Sequence, residues 1–252
     1  GRGISADLMT ANNVLAHVPD INDFVQSFAM LLRPDGVATF EFPHLLELVR
    51  NNQFDTIYHE HFSYLSLTAV ARIFDRNGLR IIDVEELTTH GGSLRVFAER
   101  LDVGRLVVSE NVDRVLANEA VAGIGQAAFY AEFQHRAEKA KNDFLAFLID
   151  SRRAGLRVAA YGAAAKGNTL LNFAGVKPDL IPYVVDRSPF KQGKLMPGSR
   201  IPIVGEERLL SDMPDIIVIL PWNIADEVLA QLEYVRDWGA RLVTAIPNLT
   251  IW

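Results

Sequence analysis

Apolar positions in the first hundred residues switch between short continuous runs and helical spacing. The pattern predicts strands over about 7–14, 37–42, 79–84 and 94–98, and helices over about 21–32 and 67–77. Asp20 is a suitable N-cap for the first helix, Pro34-Asp35-Gly36 ends it, and Gly78 ends the second. We expect the first strand to be buried. Strands and helices in this order are typical of a parallel α/β sheet.

Two further regions follow. Residues 110–153 carry apolar positions at helical spacing opposite a charged face, which predicts one long helix or two helices in tandem. We interpret this region as a connector packed across two domains, and a regulatory or dimerising helix is the alternative. Beyond it a second α/β pattern begins, with strands predicted over about 157–161, 181–185, 215–220 and 241–246.

The first strand of this second pattern leads into a glycine-containing turn. Gly162 and Gly167 occupy the outer positions of a G-x-G-x-x-G turn, but Ala164 replaces the glycine that lets backbone approach a pyrophosphate. Lys166 stands where the next helix begins and suits a phosphate, and Asp186 follows Gly162 by 24 residues, near the spacing of a ribose-binding acid. The turn therefore indicates a nucleotide site, and a Rossmann-like domain that binds nothing is the alternative.

Composition limits the classes of protein. With 252 residues, 49% hydrophobic and 22% charged, the chain is ordinary for a soluble globular protein of one or two domains. It has no apolar run long enough for a membrane span and no signal-peptide pattern. The lack of cysteine excludes disulfides and cysteine-bound zinc within the chain and fits a cytoplasmic protein. We expect no membrane partner.

Charge is unevenly distributed along the chain. The net charge of −6 argues against a nucleic-acid partner. Residues 1–150 carry a net −8, from 13 Lys and Arg against 21 Asp and Glu, whereas residues 151–252 carry +2, from 12 against 10. An anionic ligand is therefore better received by the second part.

Two short segments concentrate groups that transfer protons. Tyr58-His59-Glu60-His61-Phe62 combines a phenol, two imidazoles and a carboxylate, and imidazole titrates near neutral pH. In His90-Gly91-Gly92-Ser93-Leu94-Arg95, the glycines let backbone approach a bound group and Arg95 offers a donor fork to an anion. The alternatives are a solvated loop, an ordinary turn at His90, and an Arg95 that only pairs with a surface acid.

Taken together, these motifs resemble a known family. Asn12-Asn13-Val14-Leu15-Ala16-His17-Val18-Pro19-Asp20 resembles the fourth-strand segment of class I S-adenosylmethionine-dependent methyltransferases. With the two histidine segments and Gly162-Ala163-Ala164-Ala165-Lys166-Gly167-Asn168-Thr169, in this order, the whole chain resembles the sugar C-methyltransferases. Those enzymes add a methyl group to C3 of a nucleotide-linked 4-keto-deoxysugar.

The resemblance implies an architecture. Family members have a small cysteine-ligated zinc subdomain, a methyltransferase domain and a C-terminal Rossmann-like domain. This sequence has neither zinc cysteines nor the glycine-rich cofactor loop, so we expect the C-terminal portion of a longer enzyme, with any zinc in an upstream subdomain. The expected parts are the C-terminal half of a class I methyltransferase sheet (1–108), a helical connector (109–153) and a second Rossmann-like α/β domain (154–252). We expect S-adenosylmethionine to bind this portion poorly by itself.

The resemblance also implies roles for individual residues. His61 is the base that removes the C3 proton, and Tyr58 assists it or donates toward the oxyanion. His17 polarises the C4 oxygen or holds the sugar, with a helix-capping role as the alternative, and Glu60 orients an imidazole. His59 receives no role. The expected cofactor-binding residues are Asn12 and Asn13, and the expected substrate-binding residues are His90, Gly91, Gly92, Arg95, Lys166, Asn168, Asp186 and Trp222.

Several of these residues have a structural role as the alternative, and the sequence leaves three alternative functions. Lys166 and Asn168 could serve only to start a helix, and Trp222 could fill a sheet edge instead of stacking on a base. One rival function is a nucleotide-dependent oxidoreductase or epimerase, against which Ala164 and the lack of a Tyr-x-x-x-Lys pair at Tyr58 both count. The others are a non-catalytic sugar-nucleotide binding module and a metal site on His59 and His61.

Overall fold

A computed structural model describes residues 5–252, which form two compact units. The first unit contains Gly1–Arg50 and His59–Glu132, and the second contains Asn51–Tyr58 and Phe133–Trp252. The predicted connector is therefore divided at Glu132 between the two units. No helix within the described residues is long and apolar enough to cross a membrane.

The first unit is a four-stranded sheet with helices. Its elements are β1 (Ala6–Asn12), α1 (Ile21–Leu31), β2 (Leu32–Pro43), α2 (Leu45–Arg50), α3 (Leu67–Arg76), β3 (Leu79–Leu87), β4 (Ser93–Arg100), α4 (Glu110–Ala122) and α5 (Ala127–Tyr130). The strand order is β1-β2-β4-β3. Strands β1 and β2 are parallel, whereas β4 runs antiparallel to both β2 and β3.

The prediction of a parallel first sheet holds for β1 and β2 but not for β4, which makes the sheet mixed. Only residues 88–92 connect β3 to β4, which is too short for the crossover that parallel neighbours require, so the two strands form a hairpin. The prediction of a buried first strand is wrong. Strand β1 pairs only with β2 among the described residues, and Leu8 is 63% exposed.

Local signals of helix boundaries are mostly confirmed. The Asp20 carboxylate accepts hydrogen bonds from the Asn22 and Asp23 N–H groups, and Gly78 follows α3 with a φ of +84°. The first helix, however, ends at Leu31, and Pro34-Asp35-Gly36 lies inside β2. The core of the unit includes Phe28, Phe40 and Phe74, whose adjacent rings have centroids 4.7 Å apart.

The second unit is a doubly wound α/β domain. Its elements are α6 (Phe133–Arg153), β5 (Val158–Tyr161), α7 (Ala165–Phe173), β6 (Val184–Val185), β7 (Ile203–Val204), α8 (Glu207–Asp212), β8 (Ile216–Ile219), α9 (Ala225–Gln231), β9 (Arg241–Thr244) and β10 (Thr250–Ile251). The sheet order is β7-β6-β5-β8-β9-β10, with β10 antiparallel to β9 and the other pairs parallel.

This order confirms the predicted Rossmann-like architecture. In chain order the strands run 3-2-1-4-5-6, so the direction of progression reverses between β5 and β8. Ligands of such sheets bind at this reversal, outside the carboxyl ends of the strands. Strands β5 and β8 end at the Gly162 turn and at Pro221-Trp222, so these two segments lie where the strand order reverses.

Candidate functional site

The first unit brings two predicted catalytic histidines together. After β1 the chain makes a 3₁₀ turn over Leu15–His17, and the carbonyl oxygen of Ala16 accepts hydrogen bonds from Phe62 N at 2.8 Å and Ser63 N at 3.3 Å. The ring centroids of His17 and His61 are consequently 4.7 Å apart, with the rings at 71°. The ring of Tyr64, which the sequence did not single out, lies 6.2 Å from His61. The pair can serve as a proton acceptor and a proton donor toward one substrate.

The predicted cofactor residues lie at the carboxyl end of β1. Asn12 is exposed, and Asn13 has a φ of +56° while its N–H donates to the Glu41 carbonyl oxygen at 2.7 Å. The side-chain oxygen Oδ1 of Asn13 is buried and has no hydrogen-bond partner within residues 5–252. A buried acceptor without a donor is unfavourable, and it fits a ligand that carries N–H groups, as S-adenosylmethionine does.

The other members of the first histidine segment are arranged differently. His59 and Glu60 are exposed, and over the described part of the chain Glu60 makes no hydrogen bond to an imidazole. Tyr58 is half-buried and belongs to the second unit. The arrangement therefore supports the roles of His17 and His61 more directly than the orienting role of Glu60.

The glycine segment forms the hairpin turn between β3 and β4. His90 is exposed with a φ of +57°, and Gly91 and Gly92 have φ values of +90° and +117°. A Cβ at Gly92 would lie 2.8 Å from Cγ of Glu47, so the close approach that this glycine permits is to a protein side chain. The turn borders a cavity of about 320 Å³ that His44, Glu47 and Ser93 also line.

Arg95 is engaged by acidic side chains. Its guanidinium donates to Oε2 of Glu41 at 2.9 Å and to Oε2 of Glu85 at 3.3 Å. An anionic substrate would have to compete with both carboxylates. This geometry favours the alternative that Arg95 pairs with acids of its own sheet.

A further histidine, His44, which the sequence analysis did not single out, lies at the carboxyl end of β2. His44 directly follows β2, and its Nε2 lies 2.7 Å from Oε1 of Glu119 on α4. The same carboxylate accepts hydrogen bonds from the backbone N–H groups of Leu67 and Thr68 at the start of α3. Burial disfavours ionisation of Glu119, but the hydrogen bonds outweigh it and hold the pKa of Glu119 below its ordinary value. The sequence feature that could have pointed to His44 is its position just after the predicted strand over 37–42.

In the second unit, two glycines let α7 pack closely on the end of β8. Gly162 has a φ of +90°, and a Cβ there would lie 2.5 Å from Cδ of Pro221. A Cβ on Gly167 would lie 2.6 Å from Cβ of Leu220. The glycine turn therefore has the close helix–strand packing of a dinucleotide-binding fold, although Ala164 occupies its middle position.

Trp222, Lys166 and Asp55 form a cluster at the reversal of strand order. The Trp222 indole N–H donates to Oδ2 of Asp55 at 2.7 Å, and Nζ of Lys166 lies 4.6 Å from the centroid of a Trp222 ring. Lys166 also donates to Oδ1 of Asn223 at 3.3 Å. Burial lowers the pKa of Lys166 and the nearby Asp55 opposes this shift, while burial raises the pKa of Asp55 to about 6. The sequence did not indicate Asp55.

The remaining predicted residues of this unit have different surroundings. Oδ1 of Asn168 is buried and has no hydrogen-bond partner among the residues described, which leaves it able to accept from a ligand. Asp186 is buried at the end of β6, where its carboxylate accepts from the N–H groups of Ala163 and Ser188, each at 2.8 Å, and from Lys191 at 3.0 Å. The Ala163 N–H is therefore committed to Asp186, which counts against a pyrophosphate bound there by backbone as in NAD enzymes.

A cavity of about 490 Å³ adjoins the cluster at the carboxyl ends of β8 and β9. Its lining includes Trp222, Asn223, Thr244 and Trp252. Its two aromatic side chains suit a flat ring system.

Within residues 5–252 no group of three or more His, Asp or Glu side chains could hold a metal ion, so the residues present do not form a zinc site.

Comparison with known proteins identifies the family of the chain. Residues 3–84 match a family model described as a methyltransferase domain. Residues 88–247 match the model of the C-methyltransferase C-terminal domain, and the chain belongs to this family. The resemblance inferred from the motifs is thereby confirmed.

Individual relatives cover different shares of the chain. The C-methyltransferase NovU of Streptomyces niveus is 38% identical over 243 residues, which are 96% of this chain and 58% of NovU. The chain thus spans 58% of the length of that relative. Among solved structures, the magnesium protoporphyrin IX methyltransferase ChlM of Synechocystis PCC 6803 aligns with a TM-score of 0.30 and 17% identity, over 39% of this chain and 46% of that one. TnmH aligns with a TM-score of 0.31 and 24% identity, over 38% and 31%.

Proposed function

We propose that this chain is part of an enzyme that transfers a methyl group from S-adenosylmethionine to C3 of a nucleotide-linked keto-deoxysugar. The observation that carries the proposal is the pairing of His17 and His61 at the end of β1, with ring centroids 4.7 Å apart. A carbon acid beside a ketone needs both a base and a donor for the developing oxyanion, and two neighbouring imidazoles supply them at neutral pH.

In the proposed reaction, His61 removes the proton from C3. The C–H electron pair moves into the ring as an enolate, and the negative charge develops on the C4 oxygen. His17 donates a hydrogen bond to that oxygen, and Tyr58 assists. Asn12 and Asn13 are the residues of this chain that would hold S-adenosylmethionine, which supplies an electrophilic methyl group when bound. C3 would take the methyl group as the bond between that group and the cofactor's sulfonium sulfur breaks, and the S–CH₃ electron pair would stay on the sulfur of the departing S-adenosylhomocysteine.

The second unit would hold the nucleotide part of the substrate. Support comes from the strand reversal between β5 and β8, from the cluster of Lys166 and Trp222 at that point, and from the unpaired Oδ1 of Asn168. The net +2 of residues 151–252 agrees with an anionic ligand. An ammonium beside an aromatic face suits a phosphate next to a base.

Exchange of the C3 hydrogen tests the base directly. The enzyme that contains this chain is incubated in D₂O with the nucleotide-linked 4-keto-sugar and no methyl donor, and loss of the C3 proton signal is followed by NMR. We expect exchange with the wild type and with His59→Asn, and a loss of about 10²–10⁴-fold in rate with His61→Asn. An unchanged rate in His61→Asn would transfer the role of base to His17 or Tyr58.

A further inference from the structure

A buried carboxylate stands behind the proposed nucleotide site. Asp55 is 0% exposed and lies in segment 51–58, which belongs to the second unit. The same segment is anchored to α6 by Asn52, which donates to the Arg136 carbonyl oxygen at 3.1 Å, and to α7 by Phe54, whose ring centroid lies 5.5 Å from that of Phe173. These contacts hold the segment that carries Asp55 against α6 and α7.

The two oxygens of Asp55 have unequal surroundings. Oδ2 accepts from the Trp222 indole N–H at 2.7 Å, whereas Oδ1 is buried without a hydrogen-bond partner in the described range. An ionised carboxylate with one unpaired buried oxygen is unfavourable, and a proton on Oδ1 removes the charge while Oδ2 keeps its bond to Trp222.

The charged side chains around this segment differ in their influence. Lys166 of α7 lies over the face of the Trp222 ring, while Arg136 and Lys141 are carried by α6. Burial is the largest influence on Asp55 and raises its pKa to about 6, and Lys166 is the one charged side chain among these that opposes the rise. Any ligand that engages the ammonium of Lys166 therefore changes the electrostatic surroundings of Asp55.

We propose that Asp55 is a positioning residue that fixes the Trp222 indole, balances the charge of Lys166, and takes up one proton when a diphosphate binds at Lys166. The inference rests on the proposed nucleotide site of the second unit. An incoming diphosphate brings negative charge toward Asp55 and draws on the same ammonium, so the neutral acid is favoured in the complex. The proton comes from solvent and binds Oδ1.

The ligand-free part of the inference has its own test. The indole N–H resonance of Trp222 in the ¹⁵N-labelled chain, assigned with Trp222→Phe, is followed from about pH 5 to 8. We expect a titration with a midpoint near 6 in the wild type and in Asp143→Asn, an exposed acid paired with Lys139 on α6. In Asp55→Asn, which keeps an acceptor for the indole, the titration should disappear. A Trp222 resonance that does not titrate in the wild type overturns the inference.

Calorimetry tests the coupling to ligand. Thymidine diphosphoglucose is the probe, because its diphosphate is a diester and lacks the second phosphate ionisation that monoesters show at about pH 6. Binding is measured at pH 7 in two buffers of different ionisation enthalpy. We expect uptake of up to one proton in the wild type, none in Asp55→Asn, and a wild-type Kd that rises as pH increases above 6, by at most about tenfold per pH unit.

The outcomes separate the two proposals. Binding without proton uptake by the wild type, or uptake that persists in Asp55→Asn, overturns the role of Asp55 and leaves the nucleotide site intact. If the wild type does not bind the probe at any pH between about 5.5 and 7.5, the proposed nucleotide site is wrong and the coupling fails with it.

Discussion

Nε2 of His44 lies 2.7 Å from Oε1 of Glu119, and neither side chain is more than 3% exposed. The two residues are 75 positions apart in the chain, yet this contact joins the end of β2 to α4. Because Glu119 also caps the first N–H groups of α3, one carboxylate holds three elements of the first unit together. His44 also lines the cavity beside the Gly91-Gly92 turn, so the network holds one of the residues that line this cavity.

Removing the Glu119 carboxylate should strongly destabilise the first unit. Glu119→Ala leaves a buried imidazole and the N–H groups at the start of α3 without their acceptor, and breaking such a buried pair typically costs about 3–5 kcal/mol. The matched control is Asn118→Ala, one position earlier on α4 and exposed. Urea unfolding followed by circular dichroism, with amide exchange of β2 and α3, measures the difference. Equal stability of the two variants would show that the network contributes little.

Asp55 should make the stability of the second unit fall as pH rises. Its pKa is raised by burial to about 6, so between about pH 4 and 6 the folded state keeps a proton that the unfolded state has lost. The free energy of unfolding then decreases by up to about 1.4 kcal/mol per pH unit in this window, and roughly 3 kcal/mol in all. All three tryptophans lie in the second unit, so their fluorescence in urea reports this unit. The free energy of unfolding of the wild type minus that of Asp55→Asn should fall by roughly 2–3 kcal/mol from pH 4 to 7, and a difference independent of pH contradicts the assignment.

The contrast between local and long-range contacts explains what the sequence could predict. Asp20 as a cap and Gly162 as a turn were predictable because their signals lie within a few residues of the element concerned. The antiparallel direction of β4 could be predicted only from the shortness of segment 88–92, which joins β4 to β3. Asp55 and Trp222 are 167 residues apart, and no local pattern relates them. The same holds for Asp186, whose carboxylate accepts hydrogen bonds from the N–H groups of Ala163 and Ser188.

Gly167 should be sensitive to the smallest enlargement. A Cβ at this position would meet Cβ of Leu220 at 2.6 Å, so α7 would have to move away from β8. Overpacking of this kind costs about 1–3 kcal/mol, and we expect Gly167→Ala to lose that much in urea unfolding followed by tryptophan fluorescence. Gly205→Ala of the same unit is the control, because its added methyl group would first meet the carboxylate of Glu207, the far end of a flexible side chain. Similar midpoints for both variants would mean that α7 and β8 tolerate separation.

Lys166 should contribute directly to nucleotide binding. Its ammonium lies over Trp222, where the strand order reverses between β5 and β8, and a charge-assisted contact to phosphate is worth about 1.5–3 kcal/mol. Lys166→Ala should therefore weaken binding of thymidine diphosphate by about tenfold or more in calorimetry. Lys139→Ala, an exposed lysine of α6, should leave the affinity unchanged. Unaltered binding by Lys166→Ala would move the nucleotide to another site.

His61 should matter for the chemical step and much less for binding. In the enzyme that contains this chain, His61→Asn removes the group that accepts the C3 proton, and loss of a positioned base lowers kcat by about 10²–10⁴-fold. KM should change little, because the proposed nucleotide contacts lie in the second unit.

His17→Asn should also lower kcat, because the ring centroids of His17 and His61 are 4.7 Å apart and His17 would support the oxyanion. Tyr58→Phe should cost less if the phenol only assists. His59→Asn is the control, as its side chain is exposed and has no proposed role. Methyl transfer from ¹⁴C-labelled S-adenosylmethionine gives the rates, and a His61→Asn enzyme with the kcat of His59→Asn would exclude His61 as the base.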